Sequence, residues 1–158
     1  MTVGLMAGVF GLYAQAIMPG LGETGDSTFI DAFQAIDDAT VNPLFLATFV
    51  GALVLTGLAA VLHRGEDGRS TLRWIVAALV LYGAAFAITV AVHVPLNDEI
   101  KAAGGPDRIA DPATVRERFE EDSWVRWNIV RTLGSTLAFG CLAWALVQCG
   151  RTLRSAGS

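Results

Sequence analysis

Four stretches of the chain stay apolar for long enough to cross a bilayer. Pro43–Leu62 carries no charged residue, Trp74–Val94 has only His93 as a candidate charge, and Leu133–Gly150 is uncharged. This last stretch extends upstream through Arg131 to Trp124, and Met1–Met18 is uncharged apart from the amino terminus. About 20 apolar residues cover a hydrocarbon core of roughly 30 Å. The pattern therefore predicts one all-α integral membrane domain, a four-transmembrane-helix bundle with spans at about 2–19, 43–63, 72–94 and 126–149. The first stretch lacks a basic n-region, and Tyr13 and Gln15 interrupt its apolar run, so it is expected to be a retained helix rather than a signal peptide.

The segments between spans have patterns of their own, and residues 20–42 and 95–125 are expected to form a cap. In Thr28–Val41, Phe29, Phe33 and Ile36 recur at helical spacing among Asp31, Gln34 and Asp38, which predicts an amphipathic helix capped by Asp26 or Ser27. Gly104-Gly105-Pro106 breaks the second segment, and Asp111-Pro112 reads as an N-cap followed by proline at the first helical position. From there to Gly150 the pattern predicts one long helix, its first three turns outside the membrane. Pro95 is expected to end the third helix and turn the chain across the top of the bundle.

Composition agrees with a lipid environment. Hydrophobic residues make up 53% of the 158 and charged residues only 16%, with a mean hydropathy of +0.51. A soluble domain carries about 25% charged residues. The net charge of −4 speaks against nucleic-acid binding. Residues 20–42 hold five acids and no Lys or Arg, and residues 95–125 hold eight acids against four basic residues. The short loop offers Arg64, Arg69 and Arg73 against Glu66 and Asp67, and the tail offers Arg151 and Arg154. By the positive-inside rule the short loop and both termini face the cytoplasm, and the acidic cap lies outside the cytoplasmic membrane.

Polar residues at membrane depth are costly and mark candidate sites. Trp124, Trp127, Asn128 and Arg131 share one helical stripe at the outer end of span four, and Asn97 follows Pro95 at the same level. A guanidinium and two carboxamides there suit a phenolate, enolate or carboxylate. The competing reading pairs Arg131 with Asp98, Asp122 or a backbone carbonyl and places the tryptophans in an interfacial belt.

The order Met18-Pro19, Phe33-Gln34-Ala35-Ile36-Asp37, Val94-Pro95-Leu96-Asn97 and Trp127-Asn128-Ile129-Val130-Arg131-Thr132 resembles the DUF1772 family of four-span membrane proteins, which includes anthrone oxygenases, along nearly the whole chain. One departure is Asp37, where the family usually has asparagine. The resemblance implies oxygenation of a small lipophilic aromatic or polyketide-type substrate by dioxygen, without a recognised organic cofactor. On this reading Arg131, Asn128 and Asn97 bind the anion, Asp37 or His93 removes the proton, and Gln34, Trp124 and Trp127 contact the substrate. The alternatives are a non-catalytic binder of small molecules or lipids and an accessory subunit of a membrane complex.

Metal chemistry has few donors to work with. His63 and His93 fall at opposite ends of the bundle, which excludes a bis-histidine haem within one chain, and His63 beside Arg64 reads as an interfacial anchor. His93 with Asp98, Glu99 or Asp37 is the remaining candidate for iron or copper. Cys141 and Cys149, eight residues apart in span four, are too distant for a mutual disulfide. Nucleotide-binding, zinc-protease and serine-hydrolase motifs are absent. Gly4-x-x-x-Gly8 suits close helix contact, either within the bundle or between protomers of a homo-oligomer.

Overall fold

The computed structural model describes residues 1–65, 69–105 and 108–156, with side chains through residue 152. Glu66, Asp67 and Pro106, and the side chain of Arg154, lie outside the described residues. Six helices follow in order: α1 (Thr2–Gly22), α2 (Asp26–Thr40), α3 (Pro43–Leu62), α4 (Arg69–Ala102), α5 (Pro112–Phe119) and α6 (Glu121–Ala156). There is no strand among the described residues. Helices α1, α3, α4 and α6 are each long and apolar enough to span a membrane, so the chain is an integral membrane protein. They form a ring, α1 and α4 each packing on both α3 and α6.

The two prolines expected to end spans do not end them. α1 runs through Pro19 and α4 through Pro95, each with a π-helical turn just upstream, Tyr13–Ile17 and Thr89–His93. Proline has no N–H, and its ring collides with the carbonyl four residues back. Widening the preceding turn to i→i+5 bonding relieves that conflict: Met18 N–H reaches the Tyr13 carbonyl, and Val94 N–H reaches that of Thr89. The chain after Pro95 therefore continues along the helix axis, and Asn97 lies one short step further on the same rod.

The predicted long fourth helix is instead two helices. Glu120 adopts a left-handed conformation, φ 51°, between α5 and α6. This bend carries Phe119 inward, where it meets Phe33 at 4.6 Å and Phe29 at 5.7 Å between ring centroids. Burying each ring contributes about 1.5–3 kcal/mol, enough to offset the roughly 1–2 kcal/mol of a non-glycine residue in that conformation. Asp111 caps α5 as predicted, accepting from Thr114 N–H at 3.2 Å.

The amphipathic helix α2 lies over the bundle end with Phe29, Ile30 and Phe33 buried. Its N-cap is Gly25, with no side-chain cap, because Asp26 turns to Arg116. That arginine stacks on Phe29 at 4.3 Å and bonds Asp26 at 3.0 Å and Glu121 at 2.7 Å. It also reaches the carbonyl of Thr24 at 3.1 Å, joining α5 to the α1–α2 connection. Gly4 packs inside the bundle, since a Cβ there would meet Phe139 of α6 at 2.9 Å, whereas Gly8 has open space beside it.

Candidate functional site

Beneath the cap, α1, α2, α3, α4 and α6 enclose a chamber of about 160 Å³. Its walls include Phe10, Tyr13, Phe49 and Trp124, and its polar groups are Asp37, Thr40, Thr89, His93, Asn97 and Arg131. The sequence stripe places Trp124, Asn128 and Arg131 on the inward face of α6, where all three are buried. Trp127, three residues from Trp124, falls off that face and is 42% exposed, outside the chamber.

Arg131 is held by neutral groups. Its Nε donates to Asn128 Oδ1 at 2.9 Å and its Nη1 to Thr89 Oγ1 at 3.1 Å. Thr89 gives its own proton to the Ala85 carbonyl at 2.9 Å, which leaves an oxygen lone pair for the guanidinium. Phe10 lies 4.3 Å and Trp124 5.4 Å from the guanidinium carbon, centroid to carbon. Among the described residues no carboxylate forms an ion pair with Arg131. Asp98 and Asp122, the partners of the structural reading, are both exposed. Asn128 is fully buried behind Arg131, its amide donating to the Phe10 carbonyl at 3.1 Å, so it positions the arginine and does not line the chamber.

A second network crosses the chamber roof. Lys101 Nζ pairs with Asp37 Oδ2 at 2.5 Å, Asn97 Nδ2 donates to Asp37 Oδ1 at 2.7 Å, and Trp124 Nε1 donates to Asn97 Oδ1 at 2.8 Å. Both oxygens of Asp37 and the carbonyl of Asn97 are thus engaged. Lys101 is shared between Asp37 and Asp38 Oδ1 at 2.9 Å, so Asp37 is tied into an ion-pair cluster of its own, and among the described residues Arg131 is the chamber cation outside any ion pair. Gln34 is drawn elsewhere: its amide donates to the carbonyls of Ile100 at 2.8 Å and Gly104 at 3.1 Å, which fastens α2 to the end of α4.

His93, the last residue of the α4 π-turn, sits edge-on to Trp124 at 4.8 Å and is 2% exposed. Its Nδ1 makes a long contact of 3.5 Å with the Ile88 carbonyl, and its Nε2 is buried with no hydrogen-bond partner. A proton on Nδ1 would point at that carbonyl, and Nε2 would then be the ring nitrogen with a free lone pair. His63 ends α3, bonded to the Ala59 carbonyl at 2.8 Å and remote from the chamber. His93 and Asp98 do not converge: five positions along a helix separate their directions, and Asp98 and Glu99 are exposed. Among the described residues no three His, Cys, Asp or Glu side chains group as metal ligands would. Cys141 and Cys149 are free thiols.

Sequence reading missed Tyr13, Thr89 and Phe10. Tyr13 and Thr89 each open a π-turn six residues before a proline, so a polar residue within an apolar span at that offset was the available signal. Phe10 gave none, because an aromatic residue in a membrane helix is ordinary.

A family model described as anthrone oxygenase matches residues 41–141, a narrower stretch than the motif order suggested. It takes in α3, α4, α5 and the part of α6 bearing Trp124, Asn128 and Arg131, and leaves out α1 and α2. No curated protein and no solved structure gives a match. With more than half of its length matched, the chain belongs to the anthrone oxygenase family.

Proposed function

We propose that this membrane protein oxygenates a small lipophilic aromatic of the anthrone type, using dioxygen as the oxidant. The observation that carries the reading is Arg131, a buried cation that pairs with no carboxylate among the described residues, in an aromatic-walled chamber. Such a group attracts an anion with a flat apolar body.

The ketone oxygen of an anthrone seats at Arg131, and Nε2 of His93 takes a proton from the ring methylene. The resulting anion spreads its charge onto the oxygen at Arg131, which stabilises it where water is excluded. The electron-rich carbon then reacts with dioxygen. The net change, CH2 + O2 → C=O + H2O, is balanced without another reductant, and the step as written uses only the substrate anion, dioxygen and this chain's own residues. Asp37 is a weaker base candidate because both its oxygens are engaged. We place the protein in the cytoplasmic membrane with both termini inside and the acidic cap outside.

The test is turnover of anthrone by protein in nanodiscs, with protein-free nanodiscs giving the spontaneous rate. The expected result is anthraquinone carrying label from ¹⁸O₂ at a rate well above that background, retained after treatment with a metal chelator. A rate equal to background, in protein that still binds anthrone, leaves a binding protein without catalysis and overturns the proposal.

A further inference from the structure

The chamber shares a wall with a larger hollow on the outside of the bundle. There α1, the end of α2 and the start of α3 leave a groove of about 520 Å³. Val9, Tyr13, Thr40 and Phe45 line both spaces. Across this partition Tyr13 Oη and Thr40 Oγ1 lie 2.9 Å apart. Thr40 spends its single proton on the Ile36 carbonyl at 2.7 Å, so Tyr13 is the donor to Thr40. The outer side of the groove is apolar and open, with Leu12 51% and Leu44 77% exposed on helices that face hydrocarbon.

The two volumes explain one another. The chamber alone is smaller than the roughly 300–1,000 Å³ of pockets that enclose drug-sized ligands, whereas chamber and groove together fall within that range. Polarity is divided as well: the charged groups lie on the chamber side, and the groove offers chiefly aliphatic side chains. We infer that the groove is the bilayer-side half of the binding site, admitting a flat polycyclic phenol or enol directly from the lipid. The ligand parts Tyr13 from Thr40, places its oxygen-bearing edge at Arg131 and leaves its apolar rings in the groove. Tyr13, freed from Thr40, then has a hydroxyl proton for the ligand. This inference rests on the anion-binding reading of the chamber.

Ala39 and Thr48 line the groove from its two sides and do not line the chamber. Ala39→Trp and Thr48→Trp therefore fill the groove alone. The measurement is equilibrium binding to protein in nanodiscs under argon, with two probes: tricyclic anthrone and single-ring 4-nitrophenolate. In both variants anthrone affinity is expected to fall at least tenfold while 4-nitrophenolate affinity stays within twofold of wild type, which also certifies the fold. Unchanged affinity for both probes overturns the groove and leaves the chamber reading intact. Equal loss of both probes overturns it too, because the groove then has no preference for the larger ligand. Wild-type protein that binds neither probe, or Arg131→Met protein that binds 4-nitrophenolate like wild type, overturns the underlying reading instead.

Discussion

Asn128 and Arg131 form one unit: three residues apart on α6, they are joined by the 2.9 Å hydrogen bond from Arg131 Nε to Asn128 Oδ1. The Phe10 carbonyl fixes the other end of the carboxamide, and so the backbone of α1 sets the plane of the guanidinium. The arrangement is costly at membrane depth and forms no ion pair among the described residues. It has the character of a preorganised receptor for charge that arrives with a ligand.

Replacing the arginine separates charge from geometry. Arg131→Lys keeps the charge but loses the planar fork that reaches Asn128 and Thr89 together, and should lower kcat/KM by about 10²-fold, the scale of losing one aligned donor to a developing anion. Arg131→Met should abolish turnover while the protein still expresses and melts cooperatively. If Arg131→Met instead fails to express and neutralising Asp37 restores it, the arginine is structural glue.

The two base candidates are distinguished by what already occupies them. His93→Gln should reduce turnover by about 10²–10⁴-fold, the usual contribution of a positioned general base. Asp37→Asn should change it only a few-fold, since Asn97 and Lys101 already engage both carboxylate oxygens, one acceptor survives the substitution, and its main loss is an ion pair worth about 1 kcal/mol where Lys101 is partly exposed. The opposite ranking of the two variants assigns proton removal to Asp37.

The spans, the amphipathic helix and the inward stripe of α6 were legible in the sequence, because each follows from a hydrophobic period that tertiary packing enforces. Proline behaviour was not. Met18-Pro19 and Val94-Pro95 read locally as helix ends, yet packing of both rods against neighbours makes a π-turn cheaper than a break. The bend at Glu120 was equally hidden, since nothing in glutamate favours a left-handed backbone, and only Phe119 reaching the cap core supplies the compensation. Within the candidate site, Arg131, Asn97, Trp124, Asp37 and His93 converge as their positions implied. Gln34 and Trp127 do not join them. Gln34 meets unpaired carbonyls at the end of α4, and a helical stripe four residues wide has only its centre facing inward.

Orientation is testable without any ligand. With Cys141 and Cys149 replaced by alanine, a cysteine at exposed Ala110 in the cap should react with an impermeant thiol reagent on intact cells. One at exposed Gly65, in the basic loop, should react only after the membrane is opened. The basis is the excess of acid in the cap and of arginine in the short loop and tail. Reversed labelling puts the chamber at the cytoplasmic face.

Pro95 links backbone irregularity to chemistry most directly. Thr89, which holds Arg131, and His93, with its unpartnered Nε2, are the first and last residues of the π-turn that Pro95 imposes. Pro95→Ala restores an N–H and removes the ring, so the turn can relax to ordinary α-helical bonding. One residue taken out of a wide turn rotates the helix on one side of it by about 100° relative to the other. Thr89, His93 and Asn97, four residues apart, would still share a helical stripe, but His93 and Asn97 would turn out of their present alignment with Trp124 while Thr89 stays on Arg131. Proline costs about 3 kcal/mol more than alanine inside a helix, so the variant should melt at the same temperature as wild type or higher. Its turnover should nevertheless fall at least about tenfold, the pattern expected when local irregularity is kept for function. Equal turnover in a more stable Pro95→Ala protein would mean that the chamber needs the residues but not the turn that presents them.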